Sequence, residues 1–367
     1  MAWSPQQEAG LRDIQAWLRD PDGKQVFRLN GFAGTGKTTI LKEVVNMVKG
    51  DTLFASFTGK AALVMRSKGC EGASTIHSLI YSPDEDENGD VQFNLNPMSA
   101  VADAGLTAID EVSMVNEVLG KDLLSFGTRV LVVGDDAQLP PVEGTGYFTH
   151  GQTFLPDVML TKIHRQAADN PIIKLATHVR EGRKLQIGTY GESRVILQSE
   201  VTPEMVLDAD QVLVGMNKTR HSFNRRIRDL KGLLPNVPVA GDKLVCLKNS
   251  RQKGLLNGGL WTAQKVVRNI GFDDLMVAPE DISTDNKIRK VHVRSEFFTG
   301  EEEKISKEDR RKTDEFTFGY ALTVHKSQGS AWDSTLVYDQ SSVFREHAKA
   351  HLYTAITRAA KSITIAI

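Results

Sequence analysis

With 367 residues, 40% of them hydrophobic and 25% charged, the chain exceeds what one core usually organises and has the composition of a folded protein of two or three domains. A formal net charge of −1 gives no bulk attraction for polyanions, so any nucleic-acid site has to be built locally. Two distant cysteines without a CxxC pattern argue against a disulfide framework or a zinc site; with no long apolar run and no signal-peptide pattern in MAWSPQQEAGLRD, a cytoplasmic protein without membrane association is expected.

In chain order, Gln6 to Arg19 carries Leu11, Ile14, Trp17 and Leu18 at helical spacing, and Pro21 and Gly23 end the helix. QVFRLN reads as a buried strand, GFAGTG as a glycine-rich turn and KTTILKEVVNMVK as a helix with Ile40, Leu41, Val44, Val45 and Val48 on one side. TLFASF, GLTAID and RVLVVGD are further strands alternating with helical stretches, the pattern of a parallel α/β sheet that binds ligands at its strands' carboxyl ends. Between two of them YSPDEDENGDVQFNLNP, with a turn at Asn88, Gly89 and Asp90, predicts an inserted β-hairpin over 81–100.

A second α/β pattern begins with QVLVGM and the helical KTRHSFNRRIRDL, and resumes at FTFGYALTVHKSQG, STLVYD and KSITIAI. Between these parts, DKLVCLK, LWTAQKVVR, DLMVA and KVHVRSEFF are short β-like runs, which predicts a small β-barrel insert. The expected domains are therefore 1–157, then 158–241 joined with 316–367, with the β insert at 242–315.

The segment Gly31 to Thr38 fits G-x-x-x-x-G-K-[ST] after a strand and before a helix, the context that a phosphate-binding loop requires. Backbone N–H groups around Gly34, Thr35, Gly36 and Thr39 would cradle phosphate oxygens, Lys37 would reach the β- and γ-phosphates, and the Thr38 hydroxyl is placed for Mg²⁺. Asp110 closes an apolar strand and Glu111 follows it, suiting Asp110 to the metal shell and Glu111 to orienting the attacking water. One strand later, VVGDDAQLPPV puts Gln138 where a neutral amide senses the γ-phosphate.

The ordered string SPQQ, FTGKAA, ASTIHS, DEVSM, GDDAQLPPV, LTKIHRQ, ALTVHKSQGS and YTAITRAAK resembles the motifs of superfamily 1 helicases, specifically the 5′–3′ Dda-like and RecD-like branch, from Ser4 to Arg358. The resemblance implies an α/β fold of two RecA-like P-loop domains with a β-hairpin insert and a small SH3-like β-barrel insert, ATP bound between the domains, and single-stranded DNA across them. It implies that Gln7 reads the adenine edge, that Arg165 and Arg358 supply cations to the γ-phosphate, and that Gln328 and Gly329 face the nucleotide. It also implies strand contacts from Thr58, Lys60, Thr75, His77, Asn217, Thr219, Thr323, His325 and Lys326, and an aromatic pin at Phe93. Hydroxyl, amide and basic donors of this kind grip phosphates without reading sequence.

The implied activity is an ATP- and Mg²⁺-dependent 5′–3′ DNA helicase acting as a monomer on single-stranded and forked duplex DNA, beside single-strand-binding or replication, repair and recombination proteins. Two alternatives stay open. One is a translocase or RNA-directed motor that unwinds DNA poorly; the other is a nucleotide-switched binding module with incidental turnover.

Overall fold

The computed structural model describes residues 3–85, 91–142, 144–149, 155–161, 170–250, 252–280 and 287–367. These fall into two compact units, Met1–Ile173 and Lys174–Ile367.

The first unit opens with helix α1 (Pro5–Arg19), which Ser4 caps by accepting from Gln7 N while Gln7 Oε1 accepts from Ser4 N. Leu11, Ile14 and Trp17 are buried in the core, as their spacing predicts. There follow β1 (Val26–Gly31), α2 (Lys37–Val44), β2 (Thr52–Ser56), α3 (Gly59–Ser67), β3 (Ser74–Thr75), α4 (Ile76–Ile80), β4 (Tyr81–Glu85), β5 (Val91–Leu95), β6 (Leu106–Asp110), α5 (Glu117–Leu124), β7 (Val130–Gly134) and β8 (Val158–Leu160).

Six of these strands form one parallel sheet in the order β3-β2-β6-β7-β1-β8. Strands β6 and β7 are buried along their whole length, which is why LTAID and VLVVG read as continuous rather than alternating apolar runs. The sheet's last strand, β8, lies beyond residue 157 and pairs with β1 through Leu29 and Val158. Outside the sheet, β4 and β5 pair antiparallel, with Pro83 opposite Phe93.

The second unit holds two sheets. One contains β9 (Gly188–Tyr190), β10 (Ser193–Ile196), β11 (Gln211–Val214), and, after a long excursion, β17 (Ala321–Thr323), β18 (Trp332–Tyr338) and β19 (Ala359–Ala366). Its order is β17-β11-β18-β19-β10-β9, parallel except at the β9–β10 edge. The excursion builds β12 (Lys243–Cys246), β13 (Leu260–Arg268), β14 (Phe272–Pro279), β15 (Arg289–Arg294) and β16 (Phe316–Phe318) into an antiparallel sheet ordered β15-β14-β13-β12-β16. Trp261, Phe316 and Phe318 share its core, so the strand after residue 315 pairs with β12 inside this sheet.

A fully buried ion pair ties the helix Asn217–Leu230 to this small sheet. The Arg228 guanidinium pairs with Asp242 and packs over the Phe318 ring, and Asp242 also accepts from Tyr320 Oη at 2.8 Å and from Val239 N at 2.6 Å. Both cysteines are free and buried, Cys70 in the first core and Cys246 in the small sheet, and burial pushes their thiols up to about 11 and about 12.

Candidate nucleotide site and strand-contact residues

In the parallel sheet of the first unit, β1, β6 and β7 end at one edge, with Asn30 opposite Gly134 and Ser56 opposite Asp110. The loops that follow them therefore emerge on the same side. In the first loop Gly34 and Gly36 take φ of +77° and +79°, a region other residues enter only at a cost. Gly31 is glycine for space: a Cβ there would lie 2.7 Å from Thr35 Oγ1 and 2.8 Å from Leu160 Cβ. Thr35, 1% exposed, donates its hydroxyl to Phe32 O at 2.8 Å. Lys37 Nζ arches over the loop to Gly31 O at 2.8 Å and Phe32 O at 3.0 Å, and Thr39 lies exposed on the first turn of α2.

Gln7 is 3% exposed, and its amide lies inside the protein. Its Nε2 donates to Thr35 O at 2.9 Å while its Oε1 caps α1, so α1 braces the phosphate loop through this side chain. Its neighbour Gln6 binds Met159 O at 2.9 Å and accepts from Thr161 N at 2.9 Å, beside β8.

At the end of β6, Thr38 Oγ1 donates to Asp110 Oδ2 at 3.1 Å, and Glu111 N donates to Asp110 Oδ1 at 2.8 Å. An alcohol and a carboxylate oxygen this close are hard donors that suit Mg²⁺, which keeps the rest of its shell as water and phosphate. Glu111 itself adopts φ 55°, ψ 44°, left-handed backbone that costs a non-glycine residue on the order of 1 kcal/mol. The strained residue is thus the one expected to orient water. After β7, Gln138 is 6% exposed with Oε1 lacking a hydrogen-bond partner among the described residues. Gly134 lets this loop lie against the Asp110 loop, since a Cβ there would meet Val112 Cγ2 at 2.7 Å.

The expected strand contacts of the first unit begin two helices. Thr58 caps α3 by accepting from Ala61 N at 3.1 Å, and Thr75 caps α4 by accepting from Ser78 N at 3.1 Å. Lys60 is buried in the first turn of α3. The His77 ring lies between Phe57 and Tyr81, at centroid distances of 5.9 and 5.7 Å, and burial pulls its pKa below the ordinary histidine value. Phe93 on β5 is 62% exposed, which rules out a hairpin-core role for it in this structure.

In the second unit, Asn217 opens the helix Asn217–Leu230 and is exposed; Thr219 Oγ1 accepts from Gln340 Nε2 at 2.9 Å. Thr323 caps the short helix Val324–Ser327 by accepting from Lys326 N at 3.3 Å. The His325 ring packs against Phe344 at 5.5 Å and His351 at 6.0 Å, and burial, then the charge of His347, lowers its pKa. Gln328 is 3% exposed and Gly329 takes φ +76°. Arg358 is 5% exposed and curled onto its own segment: it donates to Thr354 O at 3.1 Å, Ser330 O at 3.3 Å and Thr357 Oγ1 at 3.0 Å. Arg165 lies outside the described residues.

Sequence reasoning missed several partners. Gln340 accepts from Gly215 N at 3.0 Å and Met216 N at 3.3 Å while binding Thr219, so it joins the loops after β11 and β18. A polar residue just past the apolar STLVYD run was the available signal. Asn257, in the LNGG turn, binds Lys326 at 2.6 Å, and the buried His351 stacks on Phe344 at 4.1 Å; neither has a local pattern that names its partner.

The family described as an AAA domain matches residues 4–200, and the UvrD-like helicase C-terminal domain matches residues 318–366. The chain is 31% identical over 382 residues to an ATP-dependent RecD2 DNA helicase of Deinococcus radiodurans, covering 95% of this chain and 48% of that protein. It is 34% identical over 169 residues to the ATP-dependent DNA helicase dda of Enterobacteria phage T4, covering 42% of this chain and 38% of that one. The chain thus spans about half or less of the length of these relatives. A crystal structure of Bacteroides Pif1 bound to ssDNA superposes with a TM-score of 0.60 at 18% identity, covering 99% of this chain and 92% of that one, a likeness of fold. The chain belongs to the family described as an AAA domain, and the relatives it resembles are named as RecD2 and Dda DNA helicases.

Proposed function

We propose that the protein is an ATP- and Mg²⁺-dependent DNA helicase that moves 5′ to 3′ along single-stranded DNA and unwinds duplex ahead of it. The observation that carries this is the 3.1 Å contact of Thr38 and Asp110 beside a strained Glu111, next to a phosphate loop with Lys37 drawn across it. Lys37 and the loop N–H groups hold the β- and γ-phosphates of ATP, and Glu111 takes a proton from the attacking water. Thr38 and Asp110 would hold Mg²⁺, which would supply positive charge against the charge developing on the phosphate oxygens. Gln138 senses the γ-phosphate with its amide. Gln7 braces the loop through Thr35, and reading the base edge requires its buried amide to exchange its bonds to Thr35 O and Ser4 N for the base.

The first RecA-like domain is read as running past the expected residue 157, since β8 pairs with β1, and the second as running to 241 and resuming after β16, which closes the SH3-like insert begun at 242, with a pin hairpin at 81–100. The second of these supplies Arg358 and Arg165 to the γ-phosphate together with Gln328 and Gly329; this requires Arg358 to exchange its bonds to Thr354 and Ser330 for the phosphate. Thr58, Lys60, Thr75, His77, Asn217, Thr219, Thr323, His325 and Lys326 track the strand, and Phe93 meets the duplex junction. Forked DNA is the substrate, single-strand-binding and replication or recombination proteins are the partners, and a monomeric cytoplasmic protein is the acting form.

The test pairs ATPase with unwinding. Single-stranded DNA should stimulate hydrolysis, Lys37→Ala and Glu111→Gln should abolish it, and only 5′-tailed duplex should open. A low rate indifferent to DNA would overturn the reading, and opening of only 3′-tailed duplex would reverse the direction.

A further inference from the structure

Asn30 lies in β1 next to Gly31, where the phosphate loop begins, and it is fully buried. Neither its Nδ2 nor its Oδ1 has a hydrogen-bond partner among the described residues. An amide taken out of water with both ends unpaired is disfavoured, and an apolar side chain would pack there without that cost.

Alternation along β1 and β7 puts Asn30 on a defined face of the sheet. Val26, Val130 and Val132 share one core with Val112, whereas Phe27, Leu29, Leu131 and Val133 share the other with Ile40 and Leu41 of α2. Asn30 and its register partner Gly134 therefore lie on the face of Val112, one strand spacing of about 4.8 Å apart. The chain after β6 crosses Gly134, since a Cβ at 134 would meet Val112 Cγ2 at 2.7 Å and Ser113 N at 3.8 Å. Ser113 is 1% exposed, and its hydroxyl also lacks a partner among the described residues. Beyond Gly134 the bond from Gln138 N to Asp135 O at 3.2 Å closes a turn, and this turn carries the buried Gln138 whose Oε1 is unpaired. The three groups complement one another: Ser113 can donate, Asn30 can accept and donate, and Gln138 Oε1 can accept.

We infer that Asn30 is a positioning residue for Gln138. When ATP fills the site, Asn30 Oδ1 accepts from the Ser113 hydroxyl and Asn30 Nδ2–H donates to Gln138 Oε1, which fixes the Gln138 amide with its Nε2–H toward the γ-phosphate. Asn30 itself touches no nucleotide. This rests on the reading of Gln138 as the group that senses the γ-phosphate, and it names what aims that group.

The test measures, with Mg²⁺ present, the affinities of the full chain for mant-labelled ADP and for mant-labelled AMP-PNP, a non-hydrolysable triphosphate. The readout is the ratio of the two affinities within each variant, so a loss of stability that weakens both nucleotides alike cancels. Gln138→Ala should lower the triphosphate-to-diphosphate ratio about tenfold, the loss of a hydrogen bond to a charged group. Asn30→Leu, which keeps the side chain's bulk, and Asn30→Ala, which cannot overpack, should lower it to a similar extent, and the double variant Asn30→Leu with Gln138→Ala should lower it no further than Gln138→Ala alone. An unchanged ratio in both Asn30 variants, as a merely structural role predicts, overturns the inference, as do losses that add in the double variant. An unchanged ratio in Gln138→Ala overturns the reading of Gln138 and the inference with it.

Discussion

His351 is 2% exposed, stacks on Phe344 with an interplanar angle of 14°, and has no hydrogen-bond partner on either ring nitrogen among the described residues. Burial, reinforced by the neighbouring His325, pushes its pKa from the ordinary 6.5 down to about 3. The folded chain therefore holds this imidazole neutral where the unfolded chain protonates it. Its contribution is present above pH 6.5 and is lost as the pH falls from there toward about 3. One pKa unit is worth about 1.4 kcal/mol, so at about pH 5 the loss is about 2 kcal/mol.

The groups facing His351 act in the same sense: His325 is itself lowered by burial and by His347, and it stays in place in a His351→Leu variant. That variant fills a similar apolar space without a titrating nitrogen. Hydrogen exchange of the Ala348–Ile356 amides, corrected for intrinsic pH effects, gives the opening free energy at about pH 7 and about pH 5. The parent should lose about 2 kcal/mol more than His351→Leu between the two. Equal losses would mean that His351 finds a proton-accepting partner in solution, and the reasoning would fail.

Asp242→Ala leaves Arg228 charged at zero exposure, and unfolding free energy should drop by about 3–5 kcal/mol, read from denaturant melts of the second unit. Gly134→Ala places a Cβ at 2.7 Å from Val112 Cγ2; melts should register a loss of about 1–3 kcal/mol, and ATPase should fall because the displaced segment adjoins Glu111. Phe93→Ala removes an exposed ring and should change stability by no more than about 0.5 kcal/mol. Unwinding of forked DNA should fall while strand-stimulated ATPase persists, and equal losses of both would refute the pin.

The phosphate loop and the strand ends around it were legible because their determinants are local. A glycine at positive φ, a lysine six residues after Gly31 and a carboxylate closing an apolar strand each carry their meaning within a few positions. Alternation of strands and helices likewise announced two mixed α/β parts, and two parallel sheets are what formed. Sequence alone did not say which end of a side chain would be engaged. Gln7 had a motif, but only packing of α1 against the loop puts its amide on Thr35; Arg358 had one too, yet its guanidinium bonds its own helix end and Ser330. Strand β16 joins the small sheet because Phe316 and Phe318 complete a core whose other buried members lie from 11 to more than 70 residues away. Lys326 meets Asn257 across 69 positions, and Gln340 meets Thr219 across 121. Local pattern determined which residues carry charge, hydroxyl and amide; the tertiary structure decided their partners, because hydrogen bonds and core contacts depend on distance in space and the chain's spacing does not record it.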